Sequence, residues 1–389
     1  MPSASDARLR AYAELLVRRG VNLQPGQRLL IADPYELQGV PAAAAPLLEA
    51  LTAAVRDLGC PPPRVLRHEP AALRELARAD NVVGFTRHVA ENAEVMRAHV
   101  AHGGAFLFLL GHHPGLLEDL PAARRDALHQ LGWEYFGPIV QRLIRAETQW
   151  CVAPAPQAAW ADAVFADRPE ADRLDALWTV VAEACRGPDL AAWDSHFAAL
   201  TAEADRRNAQ RPRAVRYTGP GTDLRVALPA RHRWCTVGHR TKRGVPFLQN
   251  LPTEEIFTAP LARGAEGQLR VARPVAHAGS LIDGIELEFR GGRVVAATAA
   301  RGGDLLATLL ATDGGAARLG EVAWVPPGTG LQRAGRCFHH PILDENALPH
   351  VALGSAYPFC LDGFFKFGIN DSLVHVDLPL EAAVDFLSP

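Results

Sequence analysis

Along the first half of the chain, apolar positions switch repeatedly between helical and strand spacing. Leu9, Tyr12, Leu15 and Leu16 fall on one helical face, with Ser5 able to cap the start and Gly20 to end the element. Residues 27–31 follow as a short buried strand. The pattern over 42–58 predicts a helix that stops at Gly59, and Pro61 to Pro63 separates it from another apolar run at 64–66. Residues 81–84 and 105–110 continue the series. The latter run is too short to cross a bilayer and predicts a buried strand. Alternation of this kind predicts an open α/β sheet with crossover helices. Residues 156–210 then read as mostly helical, over 160–165, 171–185 and 190–207.

The pattern changes near Pro212. Short runs at 213–217, 223–228, 267–271, 285–289 and 293–297 are separated by Gly or Pro, and Gly291-Gly292 has the composition of a hairpin turn. These features predict a mainly antiparallel second half with a helix over 304–312. The expected organisation is an α/β domain over 1–210 and a mainly antiparallel-β domain with flanking helices over 211–389, α+β overall. No internal repeat, low-complexity tail or heptad pattern is visible.

Bulk properties narrow the partners. A net charge of −3 over 389 residues advertises no basic face, which argues against nucleic acid or an anionic membrane surface. The first residues lack the apolar core of a signal peptide. The six cysteines are scattered without a C-x-x-C pair. That pattern fits reduced thiols and a cytoplasmic protein.

The chemistry is concentrated in the last third. Glu254-Glu255, Glu321, Asp344-Glu345, His350, Tyr357 and the His375-Val376-Asp377 segment bring carboxylates and imidazoles together without a thiolate. These are ligand types suited to zinc, cobalt or manganese. So many such groups exceed what one ion with an open position takes and suit two ions sharing a carboxylate, an arrangement used for metal-assisted hydrolysis. On a strand, His375 and Asp377 project from one face, although an outward polar face reads the same way. Glu254 and Glu255 point opposite ways in extended backbone, so one of them can face a site; both could equally serve a helix N-terminus with Thr253. Glu321 stands at the entry of an apolar run, where a buried carboxylate without a partner costs several kcal/mol. Glu345 and His350 are expected to converge from a loop and a helix start. The basic 237–243 loop reads as a solvated charged loop or a carboxylate-binding one, and His112-His113 and His339-His340 as turns.

From Asn250 onward these segments resemble the M29 family of metal-dependent aminopeptidases. The matching stretches are 250–260, 280–286, 292–295, 318–322, 343–347, 350–357 and 368–377, and similar ones occur at 12–21, 27–31, 150–154 and 217–224. The resemblance implies that Glu255, Glu321, Glu345, His350, His375 and Asp377 are metal ligands. It further implies that Glu321 is shared by two divalent ions (zinc, cobalt or manganese) and that Tyr357 points at them. The implied activity is removal of N-terminal residues from peptides. In it Glu321 or a neighbouring carboxylate carries a proton to the leaving amine, and Tyr357 donates to the tetrahedral oxyanion. A homodimer is implied as well. The likeness departs in a shorter stretch between Tyr357 and His375 and after Asp377, where residues 378–381 read Leu-Pro-Leu-Glu. These departures bear on pocket shape and substrate choice. Two other readings stay open: a mononuclear iron(II) ring-cleaving dioxygenase sharing the architecture, and a biosynthetic amide hydrolase acting on an amino-acid conjugate.

Overall fold

Three apolar runs of the first half are buried along their whole length, as strands of a parallel sheet covered on both faces must be. In the computed structural model, which describes residues 4–33, 39–79, 82–111, 113, 115–187, 189–278, 280–363 and 368–388, they are β1 (Leu29–Ala32), β3 (Ala105–Leu110) and β4 (Trp150–Pro154). Together with β2 (Arg64–Val65) they form a parallel sheet in the order β2-β1-β3-β4. Of residues 81–84, Asn81 lies outside the described residues, and Val83 opens a helix, Val83–Ala101. Phe85, Val89, Ala93, Met96 and Val100 are buried at helical spacing, a longer-range signal than the local Val-Val pair. The 23-residue helix Ala122–Ile144, which runs on through Pro138, is not expected from the pattern. His112 also lies outside the described residues.

The chain separates into two compact units. The first contains residues 1–193, 237–253 and 278–280; the second contains 194–236, 254–277 and 281–389. The basic loop lies in the first unit as the hairpin β7 (Gly238–Arg240) and β8 (Pro246–Leu248).

The second unit is built on two antiparallel sheets. One comprises β5 (Ala214–Gly219), β6 (Thr222–Ala227), β10 (Ala265–Arg270), β13 (Glu286–Arg290), β14 (Arg293–Thr298) and β18 (Ala383–Leu387) in the order β14-β13-β10-β6-β5-β18. Gly291 and Gly292 turn β13 into β14 with φ of 56° and 74°, values that suit a two-residue primed turn and favour glycine. The other sheet comprises β9 (Ile256–Thr258), β15 (Leu319–Trp324), β16 (His350–Gly354) and β17 (His375–Pro379) in the order β17-β16-β15-β9. A further short pair is β11 (Val275–His277) and β12 (Ser280–Ile282). The buried Tyr217 of β5 ties the two sheets: its hydroxyl lies 2.9 Å from the Ala323 carbonyl and 3.1 Å from that of His350, two residues facing each other across β15 and β16.

Candidate metal centre

Register explains why residues distant in sequence meet. Glu321 on β15 faces Ala352 on β16, which faces Asp377 on β17; two residues to one side along β16 His350 faces Ala323, and two to the other side Gly354 faces His375. Residues opposed in this way lie on the same side of a sheet. The middle positions are small, so the functional side chains have room above them. Gly354 has φ of 99°, and a Cβ there would come 2.1 Å from the Val374 carbonyl oxygen, so glycine is required beside His375. On β9, Phe257 faces Ala323, which puts Glu255, two residues earlier, on that side too.

Five of the six predicted ligands gather there, and Glu345 adjoins them. Nε2 of His350 lies 3.1 Å from Oε2 of Glu255, 3.5 Å from Oε1 of Glu321 and 4.0 Å from Oδ1 of Asp377. Nε2 of His375 lies 3.5 Å from Oδ1 of Asp377 and 4.0 Å from Oε2 of Glu321. The two oxygens of Glu321 therefore face different imidazoles. Among the described residues, two groups bring a ligand atom from each member within 4.8 Å: Glu255, Glu321 and His350, and Glu321, His375 and Asp377. Glu345 stands outside both groups but hydrogen-bonds Asp377. It ends the short helix Pro341–Glu345, and His350 begins β16, so the pair converges from a helix end and a strand start rather than from a loop and a helix start. Pro349 and the turn before it leave too few residues for a second helix.

Each imidazole is held by its other nitrogen. Nδ1 of His375 is 2.9 Å from the Ser355 carbonyl, and Nδ1 of His350 is 3.2 Å from that of Leu348. A carbonyl accepts only, so Nδ1 carries the hydrogen and Nε2 is presented to the carboxylates, the tautomer a metal-ligating histidine needs. Glu254 and Glu255 divide as extended backbone requires: Oε2 of Glu254 is 3.6 Å from Nε2 of His196, while Glu255 faces His350. No helix begins at Thr253, which removes the capping alternative. Tyr357 lies with its ring centroid 5.1 Å from that of His375, stacked on Phe359 at 5.1 Å and edge-on to Phe257 at 6.1 Å.

Electrostatics favour a cation. Glu321 is only 5 % exposed and His350 1 %. Burial pushes the Glu321 carboxyl up, and burial together with the neighbouring Asp377 and Glu255 carries Glu345 well above the carboxylate range. Burial alone would lower both imidazoles, but Glu255, Glu321 and Asp377 carry His350 well above its ordinary value, and Asp377 and Glu321 carry His375 up to about 9. Burial would likewise raise Asp377, yet His375 and His350 hold it at about 2. Oε2 of Glu255 is buried without a hydrogen bond despite its nearness to His350. The buried carboxylates of Glu255, Glu321 and Glu345 and the half-buried one of Asp377 outnumber the two imidazoles in a poorly solvated place, and a divalent cation satisfies both these acceptors and the orphaned oxygen. The donor set fits such an ion.

Phe257 and Phe359, which flank Tyr357, carried no chemical signal in the sequence. His340 is buried beside the site helix but contributes to neither ligand group.

This arrangement is that of a metal-dependent enzyme. The family described as thermophilic metalloprotease (M29) matches residues 5–384, and the chain belongs to it. Aminopeptidase T from Thermus aquaticus is 35% identical over 378 residues, covering 95% of this chain and 91% of that protein. Aminopeptidase 2 from Geobacillus stearothermophilus is 32% identical over 389 residues, covering 97% and 92%. The structure of wild-type AmpT from Thermus thermophilus superposes with a TM-score of 0.90 at 34% identity, covering 99% of this chain and 96% of that one. A 2,5-dihydroxypyridine dioxygenase from Pseudomonas putida KT2440 shares the fold at a TM-score of 0.50 and 12% identity. Among the described residues no helix is long and apolar enough to cross a membrane.

Proposed function

We propose that this chain is a metal-dependent aminopeptidase whose two divalent ions are held by Glu255, Glu321, Glu345, His350, His375 and Asp377. The observation that carries the two-ion reading is Glu321, whose Oε1 and Oε2 face His350 and His375 respectively. A carboxylate so placed can serve two centres at once. Once bound, divalent ions supply Lewis acidity that polarises a peptide carbonyl and activates a water near neutral pH. The chain's own groups do the rest. Glu321 or a neighbouring carboxylate moves a proton from that water to the leaving amine, and Tyr357 donates its phenol to the developing oxyanion. Phe257 and Phe359 pack against Tyr357 and limit its swing.

The exopeptidase choice is supported by the relatives, which are named aminopeptidases. Zinc, cobalt or manganese, a cytoplasmic setting and a homodimer complete the reading. Its test is a metal analysis paired with an assay. About two ions per chain are expected, with hydrolysis of aminoacyl-p-nitroanilides bearing a free amine and none of their N-acetyl counterparts. One iron per chain with oxygen consumption would overturn it.

Tyr357→Phe keeps the ring stack and deletes the donor. A lost oxyanion hydrogen bond is worth about 2.7–4 kcal/mol. The expected result is a kcat lowered about 10²–10³-fold, with KM and bound metal little changed. An unaltered kcat removes Tyr357 from the reaction.

A further inference from the structure

One side chain spans two of the segments that carry the proposed ligands. Asn346 is 0 % exposed and follows Glu345 directly. Its Oδ1 accepts the Glu254 backbone N–H at 2.6 Å, and its Nδ2 donates to the Ile342 carbonyl at 2.8 Å. A backbone N–H can only donate and a carbonyl can only accept, so these contacts fix which end of the amide is oxygen. The second Nδ2 hydrogen is thereby directed at Oε1 of Glu345, 3.1 Å away. A single amide thus ties the Glu345 carboxylate, the helix that bears it and the backbone one residue before Glu255.

The other side of the helix is fastened separately. Asp344 accepts from the backbone N–H groups of Phe338 and His340 at 2.9 Å each, and from Arg273 at 3.0 Å. Those bonds anchor the helix start but reach neither Glu255 nor Glu345. The Asn346 bonds reach both segments.

We propose that Asn346 is a positioning residue of the metal centre, fixing Glu345 relative to the Glu254–Glu255 segment so that both carboxylates meet a divalent cation together. The assignment rests on the metal-centre reading above. Asn346 touches no substrate; it acts through Glu345 and Glu255. Partners that orient ligands in this way typically carry about 10–100-fold in metal affinity.

The decisive variant is Asn346→Asp, which keeps the shape and removes both donors, so its oxygen faces Oε1 of Glu345 and the Ile342 carbonyl acceptor to acceptor. Metal-free protein is titrated with cobalt(II) by calorimetry and visible absorption, with far-UV circular dichroism checking the fold. The expected loss is about 10–100-fold in cobalt affinity. In a Glu345→Ala background, the same change is expected to cost less than about threefold, because the donors it removes reach the metal only through Glu345, while the acceptor for the Glu254 N–H is kept. Three results overturn the assignment: wild-type affinity in Asn346→Asp, an undiminished loss in the Glu345→Ala background, or loss of the fold in both Asn346→Asp and Asn346→Ser, which would make the amide a core strut. Failure of the unaltered chain to bind cobalt is a different outcome, because it removes the metal-centre reading itself.

Discussion

Glu321→Gln is expected to lower kcat/KM for aminoacyl-p-nitroanilides by about 10³-fold or more, since a shared carboxylate underlies several kcal/mol of transition-state stabilisation. The argument is geometric. Glu321 shares a sheet row with Asp377 across Ala352, and its two oxygens face different imidazoles. A carboxamide keeps the volume but offers one acceptor oxygen and a donor nitrogen, so one of the two groups loses its ligand. Bound metal is therefore expected to fall from about two ions per chain toward one. The fold has no reason to suffer. Removing this charge relieves its desolvation and its repulsion by Glu255 and Asp377 but also removes a partner of both imidazoles, so the metal-free variant should melt within a few degrees of its parent. Two results would sink this account: activity within tenfold of wild type, or a full complement of metal in the variant.

The same residue shows what was legible in the sequence. A carboxylate inside the apolar run at 319–325 was visible, as was the shared face of His375 and Asp377, because period-two alternation is a local property. The opposite facing of Glu254 and Glu255 followed from the same rule. Convergence was not local. Nothing in the spacing of Glu255, Glu321 and His350 reveals that β9, β15 and β16 pair with Phe257, Ala323 and His350 in one row; only the family resemblance joined them. Small residues could have hinted at it, since Ala323, Ala352 and Gly354 leave the face open beneath the long polar side chains. The helix Val83–Ala101 was missed for a related reason. Val83 reads as strand-forming over a few residues, and only the buried positions from Phe85 to Val100 decide for a helix. The clamp at Asn346 gave no signal at all, because an asparagine between Glu345 and Ala347 reads as an ordinary turn residue.

Removing metal is expected to abolish activity and to destabilise the protein, by an amount that grows as pH rises. A ligand that binds only the folded state at a thousandfold above its Kd adds about 4 kcal/mol, about 10 °C in Tm for a unit of this size. The pH dependence follows from what takes the cation's place. Without metal the cluster balances its charge with protons: His375 is raised to about 9 and His350 well above its usual value by the surrounding carboxylates. Both imidazoles are then charged at pH 7. Their folded values exceed the unfolded value near 6.5, so the stability they give the metal-free protein is complete below about pH 6.5; the part from His375 disappears as pH rises through about 9, and the part from His350 as pH rises through its own raised value. Metal needs neutral imidazole and displaces those protons. Loading at pH 7 should therefore release about two or more protons per chain, one from each imidazole and a further one from the raised Glu345 carboxyl, and affinity should weaken by about a hundredfold or more for each unit of acidification around neutrality. The gap in Tm between loaded and metal-free protein should widen from pH 6 to pH 8. Calorimetry in buffers of differing ionisation enthalpy counts the protons directly. Metal uptake that releases no protons, or a Tm gap unchanged between those pH values, would mean that these imidazoles do not bind the ion.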